Sequence, residues 1–441
     1  MDAKVPVWEK AFVVFTLFTA CNALVLVLSA TSVTAGQDGL DESNPLRFAI
    51  LLTLYSISGI LLVRRHSHEL LGILSQNKLL LVALGYVVLS CLWSVEPMVA
   101  FRRSMALVMT SVFCFYLALR FPLRDLLKLT GIALALVAII SIIGIFTLPM
   151  TAYETGDIRK AGWWRGIVGI NTMFGRVMAL GLLAIWVLRR TAWRFQAYDA
   201  VLLGIFLLCL WKAHAATAIV ACMAAFISIV IVWEPRRGGM PVYLRLAVTT
   251  MAAIPVLALV LTNTGEVLEL LGRDATLTNR VYIWQAAFEY GFNSPILGAG
   301  YRSFWIEDYA FQVFFNTFGS ENTKLGNGHN GFLDVWLELG LVGLVLVAAL
   351  FGQMIYRALS YLAMTKDDAG AFFGGLMVFI LVYSIAEKVI FEHSEITWML
   401  FTSGLIGMRW QRRPVEAPEP AAAAGPAAQP PRLRQSLEPG E

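Results

Sequence analysis

Apolar stretches of membrane-crossing length recur along this chain, and the charges are held between them. Residues 11–30 carry no charge for twenty residues, enough to cross about 30 Å of hydrocarbon. Further apolar runs follow at 48–63, 79–93, 104–119, 129–150, ahead of Arg189-Arg190, at 195–211, 215–233, 246–261, 331–355, 371–386 and 396–408. One helix over 201–233 would be about 50 Å long and would overshoot a bilayer. A tight hairpin at Lys212-Ala213-His214 is expected instead, although no Gly or Pro marks it. Only 15% of residues are charged and 58% are hydrophobic, against about 25% charged in an ordinary soluble domain. The pattern excludes such a domain. The expected fold class is an all-α polytopic membrane protein with about twelve transmembrane helices over residues 1–413. After residues 11–30, Thr34-Ala35-Gly36 raises the rival of a cleaved signal peptide, but the apolar run exceeds the usual core of about 7–15 residues, so a retained helix is expected.

Twelve spans put both termini on one side. The segments of that side carry 21 of the 34 Lys and Arg residues, the other side 13. Basic loops mark the cytoplasmic face, so the termini are expected inside and the long loop 262–330, between helices nine and ten, outside. Residues 414–441 hold seven Pro and seven Ala and read as a disordered cytoplasmic tail. The five cysteines all lie in apolar runs without CxxC spacing. They read as small helix residues rather than as disulfides or a zinc site.

The outer loop ends in Gly328-His329-Asn330-Gly331 and runs straight into an apolar helix. Glu338 lies within that helix, about 12 Å along it (eight residues at about 1.5 Å each). Asn330, Asp334 and Glu338 recur every four residues and share one face. Carboxylates inside spans are rare and usually partnered, so this face is a candidate cavity lining. His329 is a candidate base; its structural alternatives are a helix cap and a histidine hydrogen-bonded within the loop. His214 and His393 read as structural, and Glu387 and Lys388 are expected to pair near the end of span eleven.

Between Arg176 and Arg189 only twelve apolar residues remain, about 18 Å of helix. That is too short to cross, so the sixth helix is expected to begin near Ile167, drawing Asn171 and Arg176 to membrane depth. Arg176 is then either an anion ligand or an arginine paired structurally with a carboxylate. Trp163-Trp164-Arg165-Gly166 is basic and aromatic. Its tryptophans suit an interfacial belt or a sugar-stacking surface, and Arg165 can reach a phosphate with its planar fork. In the long loop, residues 281–290 read as a short amphipathic surface helix stopped by Asn293-Ser294-Pro295. Gly298-Ala299-Gly300 allows a tight turn. Arg280 and Arg302 are expected to be exposed on the outer side, each a solvated surface charge when taken alone or, with its neighbours, a candidate phosphate ligand. The sequence contains no DxD, no phosphate-binding glycine loop and no HExxH. No metal and no cofactor are expected, and no nucleic acid; arginines would have to neutralise a phosphorylated substrate.

Four stretches resemble the O-antigen ligase and Wzy-type polysaccharide polymerase superfamily, exopolysaccharide polymerases most closely. They are Trp93-Ser94-Val95-Glu96-Pro97 ahead of Arg102-Arg103, Arg165-Gly166 through Asn171 to Gly175-Arg176, Thr276-Leu-Thr-Asn-Arg280 through Trp284 and Ser294-Pro295 to Gly300, and His329-Asn330 followed by Gly340-Leu-Val-Gly343. The resemblance is strongest over 163–343 and does not reach the tail. Where such proteins often have a serine-rich basic segment between spans seven and eight, this chain has Lys212-Ala-His214-Ala-Ala-Thr217.

The resemblance implies a metal-independent glycosyltransferase of the bacterial inner membrane. Its donor would be a glycan on undecaprenyl pyrophosphate, its acceptor a growing polysaccharide, and its chemistry periplasmic. Chain-length regulators and export proteins are the implied partners. The catalytic set expected on this basis is His329, Arg280 and Glu338, with Arg165, Arg176, Asn171, Asn330 and Arg302 binding substrate. Glu338 or Asp334 would orient the imidazole, and His329 would act as base or as phosphate ligand. Ligation of finished glycan to lipid A core or protein is the alternative, and a transporter or flippase a second.

Overall fold

A computed structural model describes residues 5–23, 45–148, 153, 161–190, 196–231, 280–306, 312–313, 326–365 and 367–408. Twelve α-helices are present among them: α1 (Val7–Ala20), α2 (Pro45–Gln76), α3 (Lys78–Leu89), α4 (Pro97–Arg120), α5 (Leu123–Thr147), α6 (Asn171–Arg190), α7 (Ala197–Lys212), α8 (Ala216–Ile231), α9 (Arg280–Gly291), α10 (Gly331–Thr365), α11 (Asp368–Tyr383) and α12 (Ile396–Gly407). The described residues contain no β-strand beyond one isolated bridge, Tyr153 to Trp164. Five helices, α2, α4, α5, α6 and α10, are long and apolar enough to cross a membrane. The protein is a multi-pass membrane protein, all-helical in its described residues. The expected ninth span, 246–261, the tail 414–441 and much of the loop 262–330 lie outside the described residues.

Packing follows the polarity of each helix. α11 and α12 are apolar all round and are buried on nearly every side, with Phe372, Phe373, Phe379 and Trp398 fully enclosed. α5 instead exposes Ile132, Leu136, Ile139, Ile140, Ile143 and Phe146, an apolar stripe at helical spacing that points outward. A soluble helix turns such a stripe inward; one facing lipid has no reason to.

The hairpin between α7 and α8 forms where expected. His214 takes φ +49° there, so a histidine supplies the left-handed residue that Gly usually provides. α6 begins at Asn171, preceded by a 3-10 turn at Gly166–Val168, a little later than the Ile167 start expected. The loop helix expected over 281–290 is α9; it buries Ile283, Ala286 and Ala287 but exposes Tyr282 and Phe288, so its two faces differ less in polarity than expected.

The sequence pattern gave α10 no reason to be other than continuous. It is broken at Gly340 (φ 65°, ψ −165°). The loop residues Pro295–Gly300 thread into the break: Ala299 and Gly300 N–H donate to Leu337 and Glu338 O, both at 2.9 Å, and Leu341 N–H donates to Pro295 O at 2.9 Å. Tyr86 Oη donates to Leu339 O at 2.9 Å. Backbone opened inside a membrane protein must be satisfied in this way. A Cβ on Gly340 would lie 2.1 Å from Ile296 O, and one on Gly298 2.4 Å from the Glu338 carbonyl carbon. Hydrophobic patterning reads Gly340 as one more small helix residue; only its tertiary contact shows the break.

Candidate active site

Segments from five regions gather at one end of the bundle. Ser94 Oγ meets Ser303 Oγ at 2.8 Å, and Tyr301 Oη reaches Phe391 O. Trp164 N–H donates to Lys212 O at 3.0 Å, and Gly331 N–H to Ser384 O at 2.7 Å. A small separate core of Ile283, Ala287, Phe304, Trp305, Leu333 and Leu337 fastens the loop to the start of α10.

The charges at this end converge on nine residues between α11 and α12, Glu387 to Glu395. Glu387 Oε1 accepts from Arg280 at 2.9 Å, and Arg280 also donates to Ala386 O. Glu387 Oε2 lies 3.5 Å from His329 Nδ1, an ion-pair distance rather than a formed hydrogen bond. Lys388 Nζ reaches Glu338 at 2.6 Å and Glu392 at 3.6 Å. Glu392 pairs with Arg302 at 2.8 Å. Glu395 pairs with Arg176 at 3.1 Å, and the Arg176 guanidinium also sits over the Tyr383 ring, 5.3 Å from its centre.

Two shifts outside the spans express this pairing. Burial alone would raise the Glu387 carboxyl, but the His329 imidazole and the Arg280 guanidinium beside it hold it below the usual carboxylate range. Burial would lower Lys388, but Glu338 and Glu392 hold its ammonium above the usual lysine range.

The expected site residues therefore divide. Arg280, Arg302, Arg176, His329 and Glu338 come to one end of the molecule and share one partner segment. Arg176 takes the structural alternative: it is buried and neutralised by Glu395. Asn330 caps α10, its Oδ1 accepting from Phe332 and Leu333 N–H at 3.1 Å each. Asn171 donates to Ala213 O at 3.1 Å and ties α6 to the α7–α8 turn. Arg165 stands half-buried ahead of the 3-10 turn. Neither carboxylate of the expected face orients His329. Asp334 Oδ1 accepts from Trp305 Nε1 at 2.7 Å and Gly328 N–H at 2.8 Å, and Glu338 is held by Lys388. Helix periodicity placed both on one face correctly, but His329 precedes the helix at φ +50° and turns toward Glu387.

Glu387 and Lys388 were expected to pair with each other; they diverge to separate partners. Glu392 and Glu395 were missed. Their signal was available: three carboxylates in nine residues between two spans are too many to bury without arginines.

A cavity of about 920 Å³ opens beside this cluster. Phe48, Leu52 and Tyr55 of α2 and Met98, Phe101 and Met105 of α4 form an apolar wall. Arg47, Arg102, Arg103, Arg302 and Lys388 bring positive charge, opposed by Glu338, Glu392 and Glu395. Asn327 also lines it, and its Oδ1 accepts from His329 N–H at 2.9 Å. Arg102 is exposed and makes no hydrogen bond or ion pair among the described residues. Among those residues no three His, Cys, Asp or Glu side chains form a metal-holding group.

Comparison with known proteins agrees with the motifs. The sequence model of the O-antigen ligase family matches residues 200–348, which include α9, His329, Glu338 and Gly340. The chain is also 25% identical over 349 residues to the exopolysaccharide production protein ExoQ of Rhizobium meliloti (strain 1021), covering 75% of this chain and 77% of that protein. Both matches uphold the resemblance carried by the four sequence stretches.

Proposed function

We propose that the protein is a metal-independent membrane glycosyltransferase that polymerises undecaprenyl-pyrophosphate-linked oligosaccharide repeats into exopolysaccharide on the periplasmic side of the inner membrane. One observation carries most weight: a single cavity has an apolar wall from α2 and α4 and a cationic wall next to the His329 loop. That combination suits a substrate with a long apolar chain and a diphosphate. The match to ExoQ, a protein named for exopolysaccharide production, supports polymerisation.

In this reading the polyprenyl chain lies along Phe48, Leu52 and Phe101. Arg102 and Arg302, which line the cavity, attract the diphosphate; Arg280, held by Glu387 outside that lining, adds its charge as the diphosphate departs. The acceptor hydroxyl oxygen attacks the anomeric carbon, the bond from that carbon to the phosphate oxygen breaks, and the lipid diphosphate leaves with the electron pair. His329 takes the hydroxyl proton. Arg176, neutralised by Glu395, supports the frame rather than the substrate.

The test uses purified full-length protein in liposomes with lipid-linked repeats as the only sugar source, the products being sized on a gel. A ladder of multiples, reduced more than about 100-fold in both His329→Ala and Arg280→Ala, is the expected result. Transfer that occurs only when lipid A core is added would make the protein a ligase, as the family match equally permits. A ladder that survives both substitutions would remove this site from the chemistry.

A further inference from the structure

We propose that Glu387 is the positioning residue of this site, one carboxylate that sets Arg280 and His329 at a fixed separation. The inference rests on the site assigned above, but its geometry is independent of the substrate. Oε1 holds the Arg280 guanidinium at 2.9 Å, and Oε2 faces His329 Nδ1 at 3.5 Å. Arg280 opens α9 and His329 precedes α10, so a single side chain from a third element ties the two together.

The carboxylate is itself well anchored. Glu387 N–H donates to Tyr383 O at 3.0 Å, continuing the end of α11. The His329 loop is bonded to the same helix end, through Gly331 N–H to Ser384 O at 2.7 Å. Base and carboxylate thus share one support, the C-terminal end of α11. Arg280 adds its bond to Ala386 O, the residue next to Glu387.

The neighbouring carboxylates are engaged elsewhere. Glu338 is held by Lys388, Glu392 by Arg302, and Glu395 by Arg176 and by the N–H groups of Thr397 and Trp398. Among the described residues Glu387 is the carboxylate within ion-pair reach of His329. With Nδ1 turned to Glu387, Nε2 is the nitrogen left for substrate, and the His329 side chain is 40% exposed. A carboxylate behind a working imidazole fixes the ring and raises its readiness to take a proton.

The experiment is a kinetic cycle on full-length protein in liposomes. Glu387→Gln keeps size and polarity but loses the charge. Turnover should fall on the order of 10–100-fold with KM changed less than about threefold, the size expected when the partner of a working histidine is removed. Glu387→Asp should recover part of that loss. In a His329→Ala background, Glu387→Gln should cost less than about twofold more, because positioning acts through the histidine. A second readout needs no substrate: carbethoxylation of each histidine followed by mass spectrometry. His329 should react faster in Glu387→Gln, its Nδ1 released, while His214 and His66 keep their rates.

Losses that multiply in the double variant, native turnover in Glu387→Gln, or an unchanged His329 reaction rate would each overturn the proposal. If Glu387→Gln does not fold, Glu387→Asp carries the same cycle: its carboxylate is withdrawn by about one methylene, roughly 1.5 Å, and unchanged turnover in it overturns the proposal as well. If the native protein makes no product while His329 reactivity responds as expected, the catalytic reading fails and the positioning stands.

Discussion

The two ends of this helix bundle each hold a knot of charged side chains, and the knots are built differently. At the end opposite the cavity, Glu9 is fully buried and receives Arg65 at 2.6 Å, Arg120 at 2.9 Å and Tyr116 Oη at 2.6 Å. Nearby in kind, Arg357 donates to Asn77 Oδ1, Gln76 O and Leu405 O, sewing α2, α10 and α12 together. Donors and acceptors there close on one another. At the cavity end the charges also pair, but among the described residues Arg102 has no partner and the Oδ2 of buried Asp334 no hydrogen bond, and Lys388, Arg302 and Glu392 face a void. A closed knot holds helices; an open one still has binding capacity to use. Buried charge by itself therefore does not mark a site. Charge that remains incompletely satisfied beside a cavity does.

The sharpest way to break this contrast is to substitute at both ends and read both activity and stability. His329→Ala should cost more than about 100-fold in polymer formed while leaving thermal unfolding in detergent nearly unchanged, since His329 is partly exposed and its loop keeps its backbone bonds; Arg280→Ala should cost as much activity and also lower the melting temperature, because it leaves the Glu387 carboxylate without its guanidinium. Glu9→Ala should do the reverse. It leaves Arg120 and Tyr116 without their acceptor and should destabilise by about 3 kcal/mol, the low end for a broken buried pair because Arg65 reaches solvent. Protein that remains folded should keep native turnover. A Glu9 variant that folds normally yet loses activity would end the distinction drawn here.

The closed knot and the open one were not equally legible in the sequence. The long apolar helices, the α7–α8 hairpin and the presence of a helix at α9 follow from hydrophobic length and turn residues, which are local properties. Partners across the bundle are not local: Glu9 and Arg120 are far apart in sequence, and so are Arg280 and Glu387. Counting Lys and Arg per loop showed which residues share a side but not which of them touch. The break at Gly340 was hidden for the same reason. Its cause is Ile296 O pressing against the position where a Cβ would stand, a contact made by a loop more than forty residues earlier. The motif Ser294-Pro295 to Gly300 and the motif Gly340 to Gly343 read as two separate signals, and they are two halves of one packing unit.

A smaller effect tests the open side alone. Arg102→Ala should raise the KM for lipid-linked donor roughly fivefold to tenfold, as expected for one solvent-exposed contact to a phosphate, with turnover at saturation and stability unchanged. A fall in turnover without a change in KM would place Arg102 in the reaction itself rather than at the entrance. An unchanged KM would mean that the unpartnered arginine is an ordinary surface charge, and that the open knot is less open than its geometry suggests.

The weakest expected effect is the pH dependence of stability at the cavity end. Glu387 is held below its ordinary value of 4.5 in the folded protein. Its contribution is therefore present above that value and lost as pH falls through the folded pKa. Lys388 is held above its ordinary 10.5, so its contribution is complete below that value and lost as pH rises through the folded pKa. Between these limits neither group changes charge. Glu387→Gln removes only the acid limb of this pattern. The gap in melting temperature between native protein and Glu387→Gln should thus shrink as pH falls below 4.5, the carboxyl's ordinary value, as protonation makes the native carboxyl resemble the amide. Glu9 serves as the control, because Glu387→Gln leaves its three donors untouched, and acid loss arising at the closed end must be common to both proteins. A gap that persists unchanged into acid would show that the Glu387 contacts stabilise through shape rather than charge, and would remove the electrostatic difference between the two ends.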